Sequence, residues 1–249
     1  TELLFEAGKP PAIELLPIET RSTNASVAEF KRFPEEWRVV ELDTASAEAM
    51  HAALSRVGEQ KLVSQELAAK LGFAIDAEGK SGLKPDAGGL VEIPCWRHAV
   101  INFPHPLLEQ GLVILDTPGL NAIGAEPELT LSQLPNAHAI LFILAADTGV
   151  TQSDLAVWRD HVNGARTRQK GRIAVLNKID GLWDGIRSEA EIEAEISRQV
   201  KSTADTLELD AGHIFPVSAQ KGLFAKISRD ADLLVKSRLL ALEQALTAE

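Results

Sequence analysis

The sequence holds a single cysteine, Cys95, in 249 residues. One thiol cannot close an internal disulfide or build a metal site, and a reducing, cytoplasmic compartment fits. Positive charge is scarce as well. Lys and Arg number 25 against 36 Asp and Glu, a formal net charge of −11. This balance argues against a face that lies on a nucleic-acid backbone or an anionic bilayer. No apolar run is long: Ala139 to Ala146 is too short to span a bilayer. No secretory signal opens the sequence, and it contains no repeat or low-complexity tract. A phosphate cradle of the form Gly-x-x-x-x-Gly-Lys-Ser/Thr is missing too. Gly79-Lys80-Ser81 has Ala74 where the first glycine belongs, and Pro85 bars the helix that should follow. Gly8-Lys9 has Leu3 and Pro10 at the required positions.

What is present is a hydrophobic fraction of 45% and enough length for one large domain, or one domain plus an appendage. Thr1 to Leu16 reads as a hairpin: Leu3-Leu4-Phe5, a turn at Gly8 to Pro11, and a return strand from Ile13 to Leu16. Arg21 to Gly88 carries little strand signal and reads as a helical insertion at about 20–88 on the edge of the main sheet. Within it, Asp43 or Thr44 can cap a helix with apolar Ala47, Met50, Leu54 and Val57, and Ser64 to Leu71 suits a second helix. Short strands are expected at Leu90 to Ile93 and Val100 to Phe103.

From Leu112 onward strand and helix alternate, which argues for a parallel α/β sheet with helices on both faces. Val113-Ile114-Leu115 suits a strand buried on both faces. Ala139 to Ala145, Ile173 to Leu176 and Ile214 to Val217 are the strands that follow. Thr151 with Asp154, and Ser188 with Glu191, form capping boxes that open two helices. The last helical stretch, from about 232 to Glu249, has Leu239, Leu242 and Leu246 on one stripe and no terminal cap. The sequence begins at Thr1, so a piece of a longer protein is expected, with this helix leading out of the domain.

Three of these strands run into polar motifs: Asp116-Thr117-Pro118-Gly119, Asn177-Lys178-Ile179-Asp180 and Ser218-Ala219-Gln220-Lys221. They are expected at one edge of the sheet, where open α/β folds bind ligands. The chemistry of guanine explains the second and third. Asp180 can accept from guanine N1–H and the N2 amine, and adenine offers neither donor there. The aliphatic stem of Lys178 can lie over the base, and Asn177 can tie the loop to its neighbours. The Ala219 N–H can donate to guanine O6, which adenine replaces with an amine. At the other end of a nucleotide, Asp116 can hold Mg²⁺ through a water, and the Gly119 N–H can contact a γ-phosphate. His98, His138 and His213 show no ligand spacing.

These three motifs, in this order, resemble the third, fourth and fifth motifs of the P-loop GTPases over about Leu112 to Gly222. The Asp-Thr-Pro-Gly form, the insertion, Thr1-Glu2-Leu3-Leu4 and Ala145-Ala146-Asp147-Thr148-Gly149-Val150 resemble bacterial dynamin-family GTPases over most of the chain. The resemblance implies a GTPase domain with a doubly wound, mostly parallel sheet. It also implies GTP or GDP with Mg²⁺ as ligands and self-association through the nucleotide face. Membrane remodelling would be driven by the full-length protein, with membrane contact made only by parts outside this chain.

The same resemblance places the phosphate loop, first strand and first helix before Thr1, and makes Thr1 the switch-one threonine that ligates Mg²⁺. The missing strand would sit between the Val113 and Ala139 strands, so those two should show no pairing. Without the loop, this chain should bind GTP poorly and hydrolyse none. Leu120 stands where many small GTPases carry a water-orienting glutamine, so no catalytic residue is assigned. Two alternatives stand beside the GTPase: a non-catalytic scaffold that keeps base recognition, and a G domain of another GTPase branch.

Overall fold

A computed structural model describes residues 1–23, 25–76, 82–117, 137–163 and 171–248. The rejected cradle Gly79-Lys80-Ser81 lies outside them. The chain divides into two units, Thr1–Thr130 and Leu131–Glu249.

In the first unit, β1 (Glu2–Leu4) and β2 (Ala12–Pro17) do not pair as a hairpin. The short helix α1 (Val27–Phe30), the strand β3 (Arg38–Glu41) and the helix α2 (Ala47–Ser55) follow. Next come β4 (Gln60–Ser64), α3 (Gln65–Lys70), β5 (Leu90–Pro94) and β6 (Trp96–Asn102), then α4 (Pro106–Glu109) and β7 (Ile114–Leu115). The main sheet has the order β3-β2-β6-β1-β7. So β6 lodges between the two strands of the expected hairpin, parallel to β1 and antiparallel to β2. The loop between them can open this far because Asn102, buried at the end of β6, satisfies it. Its Oδ1 accepts from the Glu6 N–H at 2.8 Å, and its Nδ2 donates to the Lys9 and Pro10 carbonyls at 3.3 and 3.0 Å. Pro10 and Pro11 offer no N–H to a tight turn that would compete.

Ile13 and Leu15 of β2 face α2 together with Ala99 and Ile101 of β6. Leu16 packs with Val27, Phe30 and Trp37. The cap of α2 is Ser46, which accepts from the Ala49 N–H, rather than Asp43 or Thr44. Two strands in the 21–88 stretch, β3 and β4, lacked a sequence signal. β3 has only Val39 and Val40 between charges and lies at a sheet edge. β4 pairs with β5 in a separate two-stranded sheet, and Val63, Val91 and Ile93 pack there with Ala68, Leu71 and Phe73.

β7 corrects a second expectation. It is antiparallel to β1, and Val113, Ile114 and Leu115 are about half exposed (50, 41 and 44%) rather than buried on both faces. Among the described residues its ladder partner is β1 alone.

Glu2 of β1 meets Lys31 Nζ at 2.7 Å and His98 Nε2 at 3.5 Å. The nearby His98 imidazole, then Lys31, holds its carboxyl down at about 2 against the opposing effect of burial. A depressed carboxyl stabilises the fold in full above its unfolded pKa, near 4.5, and that stability is lost as pH falls toward about 2. Glu2→Gln is therefore expected to flatten the acid limb of an unfolding-versus-pH curve in this window; a limb identical to the parent's would exclude Glu2 as its source.

The second unit holds β8 (Ile140–Ala145), α5 (Gln152–Val157), β9 (Arg172–Asn177), α6 (Glu189–Leu207), β10 (Ile214–Pro216), α7 (Ala219–Ser228), α8 (Ala231–Ser237) and α9 (Leu239–Ala248). Its sheet, β10-β9-β8, is wholly parallel. Ile173 to Leu176 are all buried, because both faces are covered. One face packs Leu144, Ala174 and Leu176 on Trp158, Val162, Ala204 and Leu207. The other packs Ile173, Val175 and Val217 on Leu242 and Leu246 of α9. Trp158 ties the first face together: it is 1% exposed and its Nε1 donates to the Leu207 carbonyl at 3.0 Å. The capping boxes Thr151/Asp154 and Ser188/Glu191 both form.

The α/β architecture with helices on both faces is thus realised here, while the first sheet is mixed. β7 and β8 belong to different sheets, and among the described residues no ladder joins them. The same residues contain no helix long and apolar enough to cross a membrane.

Candidate functional site

The polar motifs follow strands of two different sheets. Asn177 and Ser218 follow the parallel neighbours β9 and β10, whereas Asp116 follows β7 in the other sheet.

In the second unit the chain leaves β9 through Lys178, whose φ of 67° is left-handed. That conformation is uncommon for a residue with a Cβ, and it is held on both sides. The Asn177 Oδ1 accepts from the Lys178 N–H at 2.8 Å, and the Gly181 N–H donates to the Lys178 carbonyl at 3.0 Å. Ile179, 1% exposed, anchors the loop against Ala146 and Ile196, and its N–H donates to the Val217 carbonyl. This anchoring leaves Lys178 exposed and Asp180 half-buried.

Ser218 binds the two loops together. Wholly buried, it donates from Oγ to Asp180 Oδ1 at 2.6 Å and accepts the Lys221 N–H as the cap of α7. A hydroxyl bonded to a carboxylate at this distance is a strong, orienting contact. The second oxygen of Asp180 has no hydrogen-bond partner among the described residues. The Ala219 N–H, expected to be open for a purine carbonyl, instead donates to Asn177 Oδ1 at 3.1 Å. Lys221 is half-buried on the first turn of α7. The structure therefore brings Asn177, Lys178, Asp180, Ser218, Ala219 and Lys221 together.

In the first unit Thr1 and Asp116 meet. The Thr1 nitrogen donates to the Asp116 carbonyl and the Asp116 N–H to the Thr1 carbonyl, both at 2.8 Å. Asp116 is exposed. The contact between them is main-chain only; a carboxylate and a threonine hydroxyl are the oxygen donor types that suit a hard cation such as Mg²⁺, which retains several waters and takes further oxygens from phosphates. No group of three or more His, Cys, Asp or Glu that could hold a metal exists among the described residues, so a closed protein cage is not what this pair forms. Gly119 and Leu120 lie outside the described residues.

Sequence reasoning missed that Ser237 takes part: its carbonyl accepts the Ser218 N–H at 2.9 Å. No signal marks such a residue, since any main-chain carbonyl serves.

This is the α/β fold of the P-loop GTPases. Almost all of the chain (99%) aligns with 32% of a chain from a solved oligomerised bacterial dynamin pair, with a TM-score of 0.52 and 17% identity. The sequence model of the dynamin family matches residues 12–179, more than half of the chain. The chain belongs to the dynamin family. It is 30% identical over 110 residues to a bacterial dynamin-like protein of Nostoc punctiforme, covering 44% of this chain and 15% of that protein. It is 33% identical over 130 residues to a probable transmembrane GTPase, FZO-like and chloroplastic, of Arabidopsis thaliana, covering 52% of this chain and 13% of that one. The chain thus spans a small part of the length of these relatives.

Proposed function

We propose that this chain recognises guanine nucleotides, and that the full-length protein hydrolyses GTP to GDP and phosphate in dynamin fashion to remodel membranes. One observation carries the reading: Asp180 is held by Ser218 through one oxygen, its other oxygen without a hydrogen-bond partner among the described residues, beside Asn177 and Ala219. Asp180 reads guanine N1–H and the N2 amine, Lys178 covers a face of the base, and Ala219 releases its N–H from Asn177 to O6. Ser218 and the N–H of Lys221 keep this loop in register. Asp116 and the Thr1 hydroxyl hold Mg²⁺, and Gly119 approaches the γ-phosphate. The ion, when bound, offsets phosphate charge. Membership of the dynamin family and likeness to a transmembrane GTPase support the membrane role. Self-association through the nucleotide face completes the proposal, with membrane contact made by parts of the protein beyond these residues and no nucleic acid as partner. These 249 residues lack Gly-x-x-x-x-Gly-Lys-Ser/Thr and hydrolyse nothing by themselves.

Phosphate release by the full-length protein tests this. GTP is expected to turn over with Mg²⁺, to stop on chelation, and to be preferred to ATP. Guanine binding without turnover would make the protein a scaffold, and equal use of ATP would remove the base reading.

A further inference from the structure

The junction between α8 and α9 touches both loops of the proposed base site. The Ser237 carbonyl accepts the Ser218 N–H at 2.9 Å, and Ser237 is fully buried. Its hydroxyl donates to the Leu234 carbonyl at 2.6 Å and accepts the Leu239 N–H at 3.3 Å, so the carbonyl is fixed in direction. One residue earlier, Lys236 Nζ stands 4.7 Å from the centroid of the Trp183 ring. Trp183 closes the Asp180 turn by donating its N–H to the Asp180 carbonyl at 3.1 Å. One residue later, Arg238 is left-handed (φ 58°) and its guanidinium pairs with Glu193 of α6. Three consecutive residues therefore hold the Ser218 loop, the Asp180 loop and the helix after it.

The packing here has no slack. A Cβ on Gly222, in the second turn of α7, would lie 2.8 Å from Leu239 Cδ2 and 2.9 Å from both Leu239 Cβ and Ser237 Oγ. No Cβ occupies such a position without displacing its neighbours.

We infer that Lys236 and Ser237 are positioning residues for guanine specificity, setting Asp180 and Ser218 in register through Trp183 and the Ser218 N–H. This rests on the guanine reading above. In consequence, the helix that starts at Leu239 is mechanically tied to the base site. A shift of that helix would alter how well the site tells guanine from other purines.

The test uses the full-length protein, titrated with GDP, with IDP and with ADP. Hypoxanthine lacks only the exocyclic amine that Asp180 reads. The parent is expected to favour GDP. Lys236→Met should lower the GDP-to-IDP affinity ratio by about two- to fivefold, the range of an exposed cation–π contact. Lys236→Arg keeps a cation over the ring and should restore the ratio. Gly222→Ala, a wedge that touches no nucleotide, should lower it by about tenfold. Lys236 is exposed, so its variants stay folded even if the Gly222 variant does not. A ratio unchanged in Lys236→Met would overturn the inference, as would equal weakening of GDP and IDP, which a purely structural role produces. A parent that does not favour GDP over ADP defeats the guanine reading itself and the inference with it.

Discussion

Asp180→Asn in the full-length protein is expected to weaken GDP binding by about a thousandfold and to raise affinity for xanthosine diphosphate. The geometry explains why the change is specific. Ser218 Oγ donates to Asp180 Oδ1, and an asparagine carbonyl can still accept that bond, so the loop keeps its place. The new amide nitrogen then faces guanine N1–H and its amine, donor against donor. Xanthine presents a carbonyl there and accepts. Ser218→Ala makes the complementary change: it frees Asp180 and uncaps α7 together, so it should weaken GDP without any gain for xanthosine diphosphate. If Asp180→Asn leaves GDP affinity unchanged, the carboxylate does not meet the base.

Trp158→Ala is the change expected to cost most in stability, about 3–5 kcal/mol. The indole is 1% exposed, packs edge-on against Phe142 with centroids 5.2 Å apart, and bonds the Leu207 carbonyl near the end of α6. Its removal leaves a cavity where β8, β9 and α6 meet, and an unpaired carbonyl. Since β9 carries Asn177 at its end, loss of nucleotide affinity should accompany loss of stability. Trp158→Phe retains most of the packing and should cost about 1–3 kcal/mol, part of it the unpaired carbonyl. Denaturant midpoints that move by less than the equivalent of about 1 kcal/mol for Trp158→Ala would show that Trp158 does not hold this core.

The second unit was the more legible half because its signals are local. The capping boxes at Thr151 and Ser188 each span only four residues, and Ile173 to Leu176 is apolar because both faces are covered. The first unit was read less well because its structure rests on distant pairings. Nothing near Glu2 announces that Val100 will be its neighbour, or that Asn102 will close the loop after β1. The Val113 to Leu115 run looks buried from composition alone, yet it is about half exposed at the edge of the first sheet, paired with β1. In the site, side-chain chemistry made Asn177, Asp180 and Ser218 visible. The Ser237 carbonyl and the Lys236 contact with Trp183 were not, because a main-chain acceptor and a surface lysine look the same everywhere.

The central claim is that the Asn177, Asp180 and Ser218 cluster reads guanine. A calorimetric titration of the full-length protein with GDP and with ADP, both in excess Mg²⁺, tests it most directly. The account predicts that GDP binds at least about a hundredfold more tightly, since adenine leaves Asp180 unpaired. Equal affinities for the two nucleotides would contradict it.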